Sequence, residues 1–172
     1  MTIIICKKHK LQIGGILMLE DFSSKAGKYI AIAESLAFDF GHCNVGSEHL
    51  LLSFLKVKEN KLKKLLEIYK LDFDKVKKEL LEAFPSNEEL PFYMEYTLSL
   101  KDILSNANKL SKKLNEDKIS DDVLMYCLIE KDDCVAREIL NKYGCDNKFL
   151  LDKLQVKRIY DSRNQKVVFV KK

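Results

Sequence analysis

Chain breakers are scarce in this sequence: its 172 residues include two prolines and six glycines. Because these residues end helices and form tight turns, their scarcity argues against a turn-rich β fold and favours helices. Hydrophobic residues make up 47% of the chain and charged residues 33%, which is typical of a globular protein with a solvated surface. The length suits one domain with a proper core or two small halves.

Long apolar runs and a disulfide framework are also missing. No run approaches the ~20 apolar residues of a membrane span. The short apolar stretches near the amino terminus are split by residues 7–10, KKHK, which does not fit a secretory signal. The five cysteines are an odd number without framework spacing. The sequence therefore predicts a reduced, cytoplasmic setting and no membrane partner.

Charge of one sign does not dominate. The 30 basic and 26 acidic side chains give a net charge of +4, which is too balanced to indicate nucleic acid binding by itself. Lysines lie among glutamates at helical spacing, as in residues 58–67, KENKLKKLLE. This pattern is typical of solvated helix faces.

Motifs for nucleotide binding and catalysis are incomplete. Gly41 and Gly46 have the spacing of a phosphate-binding P-loop, but Ser47 stands where that loop needs lysine, and a helix precedes it instead of a strand. Cys43 would need an oxyanion hole and an orienting acid to act as a nucleophile, and the sequence marks neither. We therefore expect no cofactor, no catalytic residue and no enzymatic activity.

Metal ligation is not indicated either. Cys6 with His9, or His42 with Cys43 and His49, would supply the ligands. A structural zinc site needs a second paired cluster at defined spacing, and the sequence has none. These residues are interpreted as packing or capping residues, and no metal site is predicted.

The chain repeats itself at an offset of 74 positions without a gap. Apolar residues replace one another at this offset, and seven residues recur unchanged. The identical pairs are Ala33 and Ala107, Leu36 and Leu110, Leu50 and Leu124, Leu66 and Leu140, Tyr69 and Tyr143, Asp72 and Asp146, and Leu80 and Leu154. The sequence therefore predicts two packed copies of one unit.

Each copy is predicted to hold four helices, which gives an all-α fold of two tandem four-helix repeats with pseudo-twofold symmetry. Helix one follows the N-cap Ser23, ends at Gly41 and buries a stripe at three- and four-residue spacing. The stripe comprises Tyr29, Ile30, Ala33, Leu36, Ala37 and Phe40. Helix two is expected from Ser47 to about residue 56, helix three over about 60–69, and helix four from the cap Asp72 to about 84.

The second copy is expected to follow the same plan. Thr97, Asp121 and Asp146 are the predicted caps of helices five, six and eight, and Gly144 is expected to end helix seven. The predicted division is repeat one over residues 22–84, an acidic linker over 85–96, and repeat two over 97–156.

The two ends lie outside the repeat. Residues 1–19 form an amino-terminal extension. Residues 13–15 can be encoded by a bacterial ribosome-binding sequence, so translation from Met18 is an alternative to translation from Met1, which the intact mass of the natural protein would decide. The tail, residues 157–172, is expected to form a hairpin around 161–165, with 167–170 as one strand.

Residues 22–56 resemble the amino-terminal double repeat of the Clp unfoldases, the ATP-dependent partners of the Clp protease. That family has a Phe-Thr start, an alanine-rich helix ending in Gly-His, and Ile/Val-Gly-Thr-Glu-His before a leucine run. Phe22 and Ser23, Gly41 and His42, and residues 45–52 (VGSEHLLL) occupy these places. The resemblance covers about residues 20–156, although residues 119–123 (ISDDV) stand where the second motif is expected.

The resemblance implies a stand-alone Clp N-domain without the ATPase modules of the family. Such a protein would be a non-catalytic module that docks Clp adaptors or Clp substrates, with the Clp ATPase as a further partner. In the branch that reads phosphorylated arginine, the motif glutamate of each repeat contacts the guanidinium. By position these acids are Glu48 and Asp122, with Ser47, His49 and Asp121 beside them. Glu48 would project from the helix start toward a cation, and His49 would brace the loop.

Three alternatives stay open. Ser47 and Asp121 would only cap their helices, while Glu48 and His49 pin the loop. A helical DNA-associated regulator would place Lys25 and Lys28 on phosphates, although no basic stripe with base-reading residues marks one. A remnant of a split Clp unfoldase gene would have an ATPase reading frame immediately downstream.

Overall fold

Eight α-helices make up most of the protein in a computed structural model, which describes residues 19–87, 94–154, 156–161 and 166–171. The helices are α1 Ser24–Asp39, α2 Ser47–Lys56, α3 Lys61–Glu67, α4 Phe73–Ala83, α5 Leu98–Lys113, α6 Asp121–Glu130, α7 Val135–Lys142 and α8 Asn147–Lys153. The short strands are β1 Asn44–Val45, β2 Glu95–Tyr96, β3 Val156–Asp161 and β4 Lys166–Lys171. The predicted all-α class, with four helices in each half, is confirmed.

The two halves follow one plan. Helices α5 and α6 begin and end 74 positions after α1 and α2. The left-handed backbone positions recur at the same offset. Gly41 (φ +70°) corresponds to Asn115 (φ +55°), and Lys70 (φ +57°) corresponds to Gly144 (φ +66°). The sequence repeat is therefore a structural repeat, down to the residues that end its helices.

The residues just before the first helix of each half pair with the backbone of the other half. Val45 in β1 pairs in parallel with Tyr96 in β2, directly before α5, and the Thr97 amide donates to the Val45 carbonyl at 3.0 Å. In the corresponding place Phe22 pairs in parallel with Ile119, and the amide of the following residue, Ser23, donates to the Ile119 carbonyl at 2.9 Å. These reciprocal contacts relate the halves by the predicted pseudo-twofold symmetry.

Polar side chains begin six of the helices, and one predicted cap is wrong. The caps whose side chains accept a first-turn amide are Ser23, Asn60, Asp72, Thr97, Ser120 and Asp146. Four of the predicted caps are among them. Asp121 is not, because Ser120 takes the cap position and accepts the Val123 amide at 3.5 Å. Asp121 is the first helical residue instead. At this position the positive end of the helix dipole stabilises its carboxylate.

The core runs through both halves. All six residues of the predicted α1 stripe are buried. The ring centroids of Tyr29 and Phe54 lie 4.5 Å apart, which ties α1 to α2. Burying each large apolar side chain stabilises the fold by roughly 1.5–3 kcal/mol. Since the two halves share this core, it holds them together as one body.

The carboxyl-terminal tail forms an antiparallel pair. Strands β3 and β4 pair in an unbroken register from Val156 opposite Lys171 to Asp161 opposite Lys166. This pair lies where the tail is expected to form a hairpin. Val156 is fully buried, and β3 packs near α6 and α8. Residues 1–18 of the amino-terminal extension lie outside the described residues, and the boundaries proposed for the repeats and the linker stay predictions.

The cysteines of the described residues form no disulfide bond. Cys43, Cys127, Cys134 and Cys145 are free thiols there. None of the helices there has the length and apolar character needed to cross a bilayer.

Candidate functional site

The turn before α2 gathers the residues of the first predicted motif. The left-handed Gly41 ends α1, and the extended β1 leads the chain into Gly46, the N-cap residue of α2. Gly46 has no side chain and so cannot cap the helix as serine does in the second half. We call residues Gly46, Ser47, Glu48 and His49 the GSEH corner.

Two buried histidines link the GSEH corner to the end of α4. The Gly46 amide donates to Nδ1 of His49 at 3.0 Å. Nε2 of His49 lies 2.9 Å from Nδ1 of His42, and Nε2 of His42 lies 2.9 Å from the carbonyl oxygen of Phe84. Since the Gly46 amide can only donate and the Phe84 carbonyl can only accept, both histidines are neutral with the proton on Nε2.

Protonation of His42 would break this chain of hydrogen bonds. A second proton would place a donor at Nδ1, facing the Nε2 proton of His49. The pKa of His42 lies below its ordinary value, mainly because burial disfavours the charged form, although the bond to Phe84 opposes this effect. Of the two nearest ionisable side chains, His49 lowers the pKa of His42 further and the Glu48 carboxylate raises it. The role of His49 in bracing the loop stays a prediction.

Glu48 is folded back instead of projecting as expected. Its side chain is 10% exposed, and Oε1 lies 3.0 Å from Nδ1 of His49. That nitrogen already accepts a hydrogen bond from the Gly46 amide. While His49 is neutral, Nδ1 therefore has no proton to donate to the Glu48 carboxylate. The donor found for Glu48 among the described residues is the Ser47 hydroxyl, at a long 3.4 Å. The carboxylate is therefore poorly satisfied by the protein itself.

The glycine at position 46 makes room for this carboxylate. A Cβ atom added to Gly46 would lie 2.0 Å from Oε1 of Glu48. The backbone of Gly46 is extended, with φ −114°, so any residue could adopt it. The steric reason for glycine here is the position of the Glu48 side chain.

Ser47 does not cap α2, contrary to one of the alternatives. Its hydroxyl oxygen accepts the amide of Ala136, in the first turn of α7, at 3.1 Å. Ser47 is almost fully buried. This bond fixes the GSEH corner against the second repeat, so the position of Glu48 depends on both halves.

The corresponding acids of the second repeat have different surroundings. Oδ2 of Asp121 forms an ion pair with Nζ of Lys25 at 2.7 Å, across the interface of the two halves. The hydrogen bond to Asp121 is the main reason why the pKa of Lys25 is raised. Asp122, the next residue, is half-buried. The second site therefore has a protein cation already in contact with one of its two carboxylates.

Two contributors to the first site were missed by the sequence analysis. His42 lies seven positions before His49, a spacing that gave no sign of a hydrogen bond between them. Phe84 contributes only a backbone carbonyl, which no sequence pattern reveals. The described residues hold no group of three or more His, Cys, Asp or Glu side chains that could bind a metal ion.

The sequence of this chain matches the model of a known protein family. The sequence model of the Clp repeat (R) N-terminal domain matches residues 21–154. The chain belongs to this family. The match stops before β3, so the tail strands lie outside the matched residues.

Individual relatives agree with the family match. The chain is 27% identical over 128 residues to the negative regulator of genetic competence ClpC/MecB of Bacillus subtilis, a match that covers 74% of this chain and 16% of that protein. The Hsp104 N-terminal domain of Candida albicans superposes with a TM-score of 0.67 at 20% identity, over 77% of this chain and 88% of that one. A complex of the ClpV N-domain with a VipB peptide gives a TM-score of 0.56 at 18% identity, over 79% and 90%.

Proposed function

We propose that this protein is a non-catalytic protein- or peptide-binding module of the Clp proteolysis system. Its partners would be Clp adaptors, Clp substrates or the Clp ATPase itself. Membership of the Clp N-domain family supports a docking role, and the ClpV N-domain with its bound VipB peptide is a precedent within the same fold. The proposal assigns no catalytic residue.

The GSEH corner is the proposed ligand site. The observation that carries the proposal is the Glu48 carboxylate, which is held in the first turn of α2 with one long hydrogen bond from Ser47. A guanidinium group of a ligand would donate hydrogen bonds to the Glu48 carboxylate, which accepts only the long one from Ser47 among the described residues. Such a charge-assisted hydrogen bond stabilises a complex by roughly 1.5–3 kcal/mol.

An arginine that carries a phosphoryl group fits this corner further. Because α2 begins without a side-chain cap at Gly46, the first turn presents amide groups and the positive end of its dipole. Oxygens of a phosphoryl group are suitable acceptors for such amides. Ser47 and His49 hold the turn in place through their bonds to Ala136 and Gly46. The proposed ligand is therefore an arginine-phosphorylated protein segment.

Asp121 and Asp122 form the proposed second site. Because Lys25 already neutralises Asp121, a guanidinium would have to displace Lys25 or bind Asp122 alone. Aspartate is also one methylene shorter than glutamate. We therefore expect the second site to bind more weakly than the first.

Calorimetric titration with phosphoarginine tests this site. The wild type should release heat, Glu48→Ala should lose affinity about tenfold or more, and Asp122→Ala should lose less. Glu59→Ala is a matched control, because the Glu59 side chain is 86% exposed. Arginine and inorganic phosphate, titrated separately, show which half of the ligand is needed. No heat with the wild type, or equal affinity after Glu48→Ala, would reject the phosphoarginine site.

Docking of an adaptor needs a separate measurement. Purified wild type and Glu48→Ala would each be used for a pull-down from native lysate, read by mass spectrometry. Recovery of Clp components with the wild type supports the docking role, whether or not phosphoarginine binds. Recovery of none of them would contradict it.

A further inference from the structure

Positive charge is concentrated in the tail that lies outside the Clp N-domain match. Residues 156–172 contain six lysines or arginines and one aspartate, a net charge of +5. The whole chain has 30 basic and 26 acidic residues, so the remaining 155 residues have a net charge of −1. The tail is therefore a basic segment attached to a nearly neutral body.

The backbone of the tail leaves a strand edge available. Among the described residues, β3 and β4 form a sheet of two strands, so each has one side without a partner strand. Strand β3 starts at the buried Val156 and packs near α6 and α8, and no comparable packing of β4 on a helix is found in that part of the chain. The outer edge of β4 thus presents alternate amide and carbonyl groups.

Strand β4 has lysines only at its two ends and lacks a proline or a bulge between them. Natural edge strands are often protected by charged side chains, proline or a bulge. Residues 166–171, KVVFVK, contain no proline, and their register with β3 is continuous over all six pairs. Four apolar residues of high β propensity lie between Lys166 and Lys171.

We propose that the outer edge of β4 binds an extended segment of a partner protein, as an added strand, in which apolar residues lie between two acidic residues five positions apart. In register, these acids stand opposite Lys166 and Lys171, and opposite charges across a strand pair are favourable. This surface is separate from the GSEH corner, so it goes beyond the function proposed above.

Charge argues against a second copy of this chain as the partner. Antiparallel pairing of two β4 strands about their centre places Lys166 opposite Lys171, and parallel pairing in register places each lysine opposite itself. Both arrangements set like charges face to face, which is unfavourable. A nucleic acid would meet the lysines but would make no use of the four apolar residues or the backbone edge.

Fluorescence anisotropy with a labelled peptide tests this edge on the full chain. The probe is a ten-residue peptide with the central sequence Glu-Val-Ile-Val-Ile-Glu. The partner probe carries lysines in place of the glutamates, and a third probe carries N-methyl groups on alternate amides. The Lys166→Glu/Lys171→Glu double variant is compared with Lys64→Glu/Lys78→Glu, which changes the net charge equally at helix lysines that are 64% and 77% exposed.

The glutamate peptide should bind the wild type and the helix double variant alike. It should bind the β4 double variant about tenfold more weakly, and that variant should prefer the lysine peptide. The N-methyl peptide should not bind the wild type, because an added strand needs its backbone amides.

Four results would overturn the proposal. These are no saturable binding of the glutamate peptide, equal weakening by both double variants, full binding of the N-methyl peptide, and displacement of the peptide by a short RNA or DNA that itself binds more tightly. Dimerisation of the wild type in sedimentation analysis that disappears when β4 is altered would also overturn it, since the second copy would then be the occupant.

Discussion

Nε2 of His49 lies 2.9 Å from Nδ1 of His42, in a buried contact between the start of α2 and the loop after α1. This contact is the middle of three hydrogen bonds that run from the Gly46 amide through His49 and His42 to the Phe84 carbonyl. Because the amide can only donate and the carbonyl can only accept, the direction of each bond is fixed. The pair thus joins three segments of the first repeat, and it does so only while both rings are neutral.

Acidification should therefore destabilise the protein already at pH values higher than those at which most carboxylates titrate. The pKa of His42 is lowered from its ordinary value of 6.5, chiefly by burial. Well above pH 6.5 His42 is neutral in both the folded and the unfolded state. As the pH falls below 6.5, the unfolded chain gains a proton before the folded chain does, so the free energy of unfolding decreases until the lower folded pKa is passed. Urea denaturation from pH 8 to pH 5 measures this decrease.

His42→Gln is the control for this titration. The variant has no titrating ring at position 42, so its free energy of unfolding should change less between pH 7.5 and pH 5.5 than that of the wild type. A wild-type stability that stays constant or rises on acidification over this range would contradict the neutral histidine pair.

Glu48→Gln should leave the protein at least as stable as the wild type. The carboxylate of Glu48 is nearly buried and lies 3.0 Å from a nitrogen that already accepts a hydrogen bond. A neutral amide of the same shape removes this unfavourable contact between two acceptors. Thermal denaturation should give an equal or higher midpoint. A loss of more than about 1 kcal/mol would show that the charge serves stability instead of binding.

Substitutions at two equivalent left-handed positions, one in each repeat, should change the stability of the protein in opposite directions. Lys70 has φ +57°, and Gly144, at the corresponding place, has φ +66°. Lys70→Gly should relieve strain and stabilise the protein by up to about 1 kcal/mol, and Gly144→Ala should destabilise it by about 1 kcal/mol. Nothing lies within 4 Å of a Cβ atom at Gly144, so the cost there is conformational. Urea denaturation of both variants checks the signs, and two changes of the same sign would contradict the symmetry.

Tyr29→Phe should cost about 1–3 kcal/mol, because it leaves a buried amide without its acceptor. Nδ2 of Asn60 donates to the Tyr29 hydroxyl at 2.7 Å, and both residues are almost fully buried. Tyr143→Phe makes the same chemical change at a 2.7 Å hydrogen bond to Glu79 that is partly exposed to solvent, so its cost should be smaller. Equal losses in a chemical denaturation series would show that burial of the Tyr29 bond has no special weight.

The repeat and the helix interiors were predictable because both are written as periodic patterns. The α1 stripe follows from apolar residues spaced at helical intervals, and all six of its members are buried. The cap of α6 was not predictable in the same way. Ser120 and Asp121 are both good N-cap residues, and Ser120 takes the cap position directly after Ile119, which pairs with Phe22.

The details of the candidate site escaped prediction because its contacts are distant in sequence. Ser47 is bonded by Ala136, 89 positions away, and His42 by a carbonyl 42 positions away. Glu48 was expected to project from the helix start toward a cation. It folds back because Gly46 leaves an open space beside the helix start.

The reciprocal pairing of Phe22 with Ile119 and of Val45 with Tyr96 bears on how such a protein could have arisen. A single unit of this kind would have no copy of itself to receive its leading segment. Two separate chains could satisfy both pairings only by exchanging those segments, as in a domain-swapped dimer. Joining the two genes would turn that exchange into contacts within one polypeptide, which no longer depend on protein concentration.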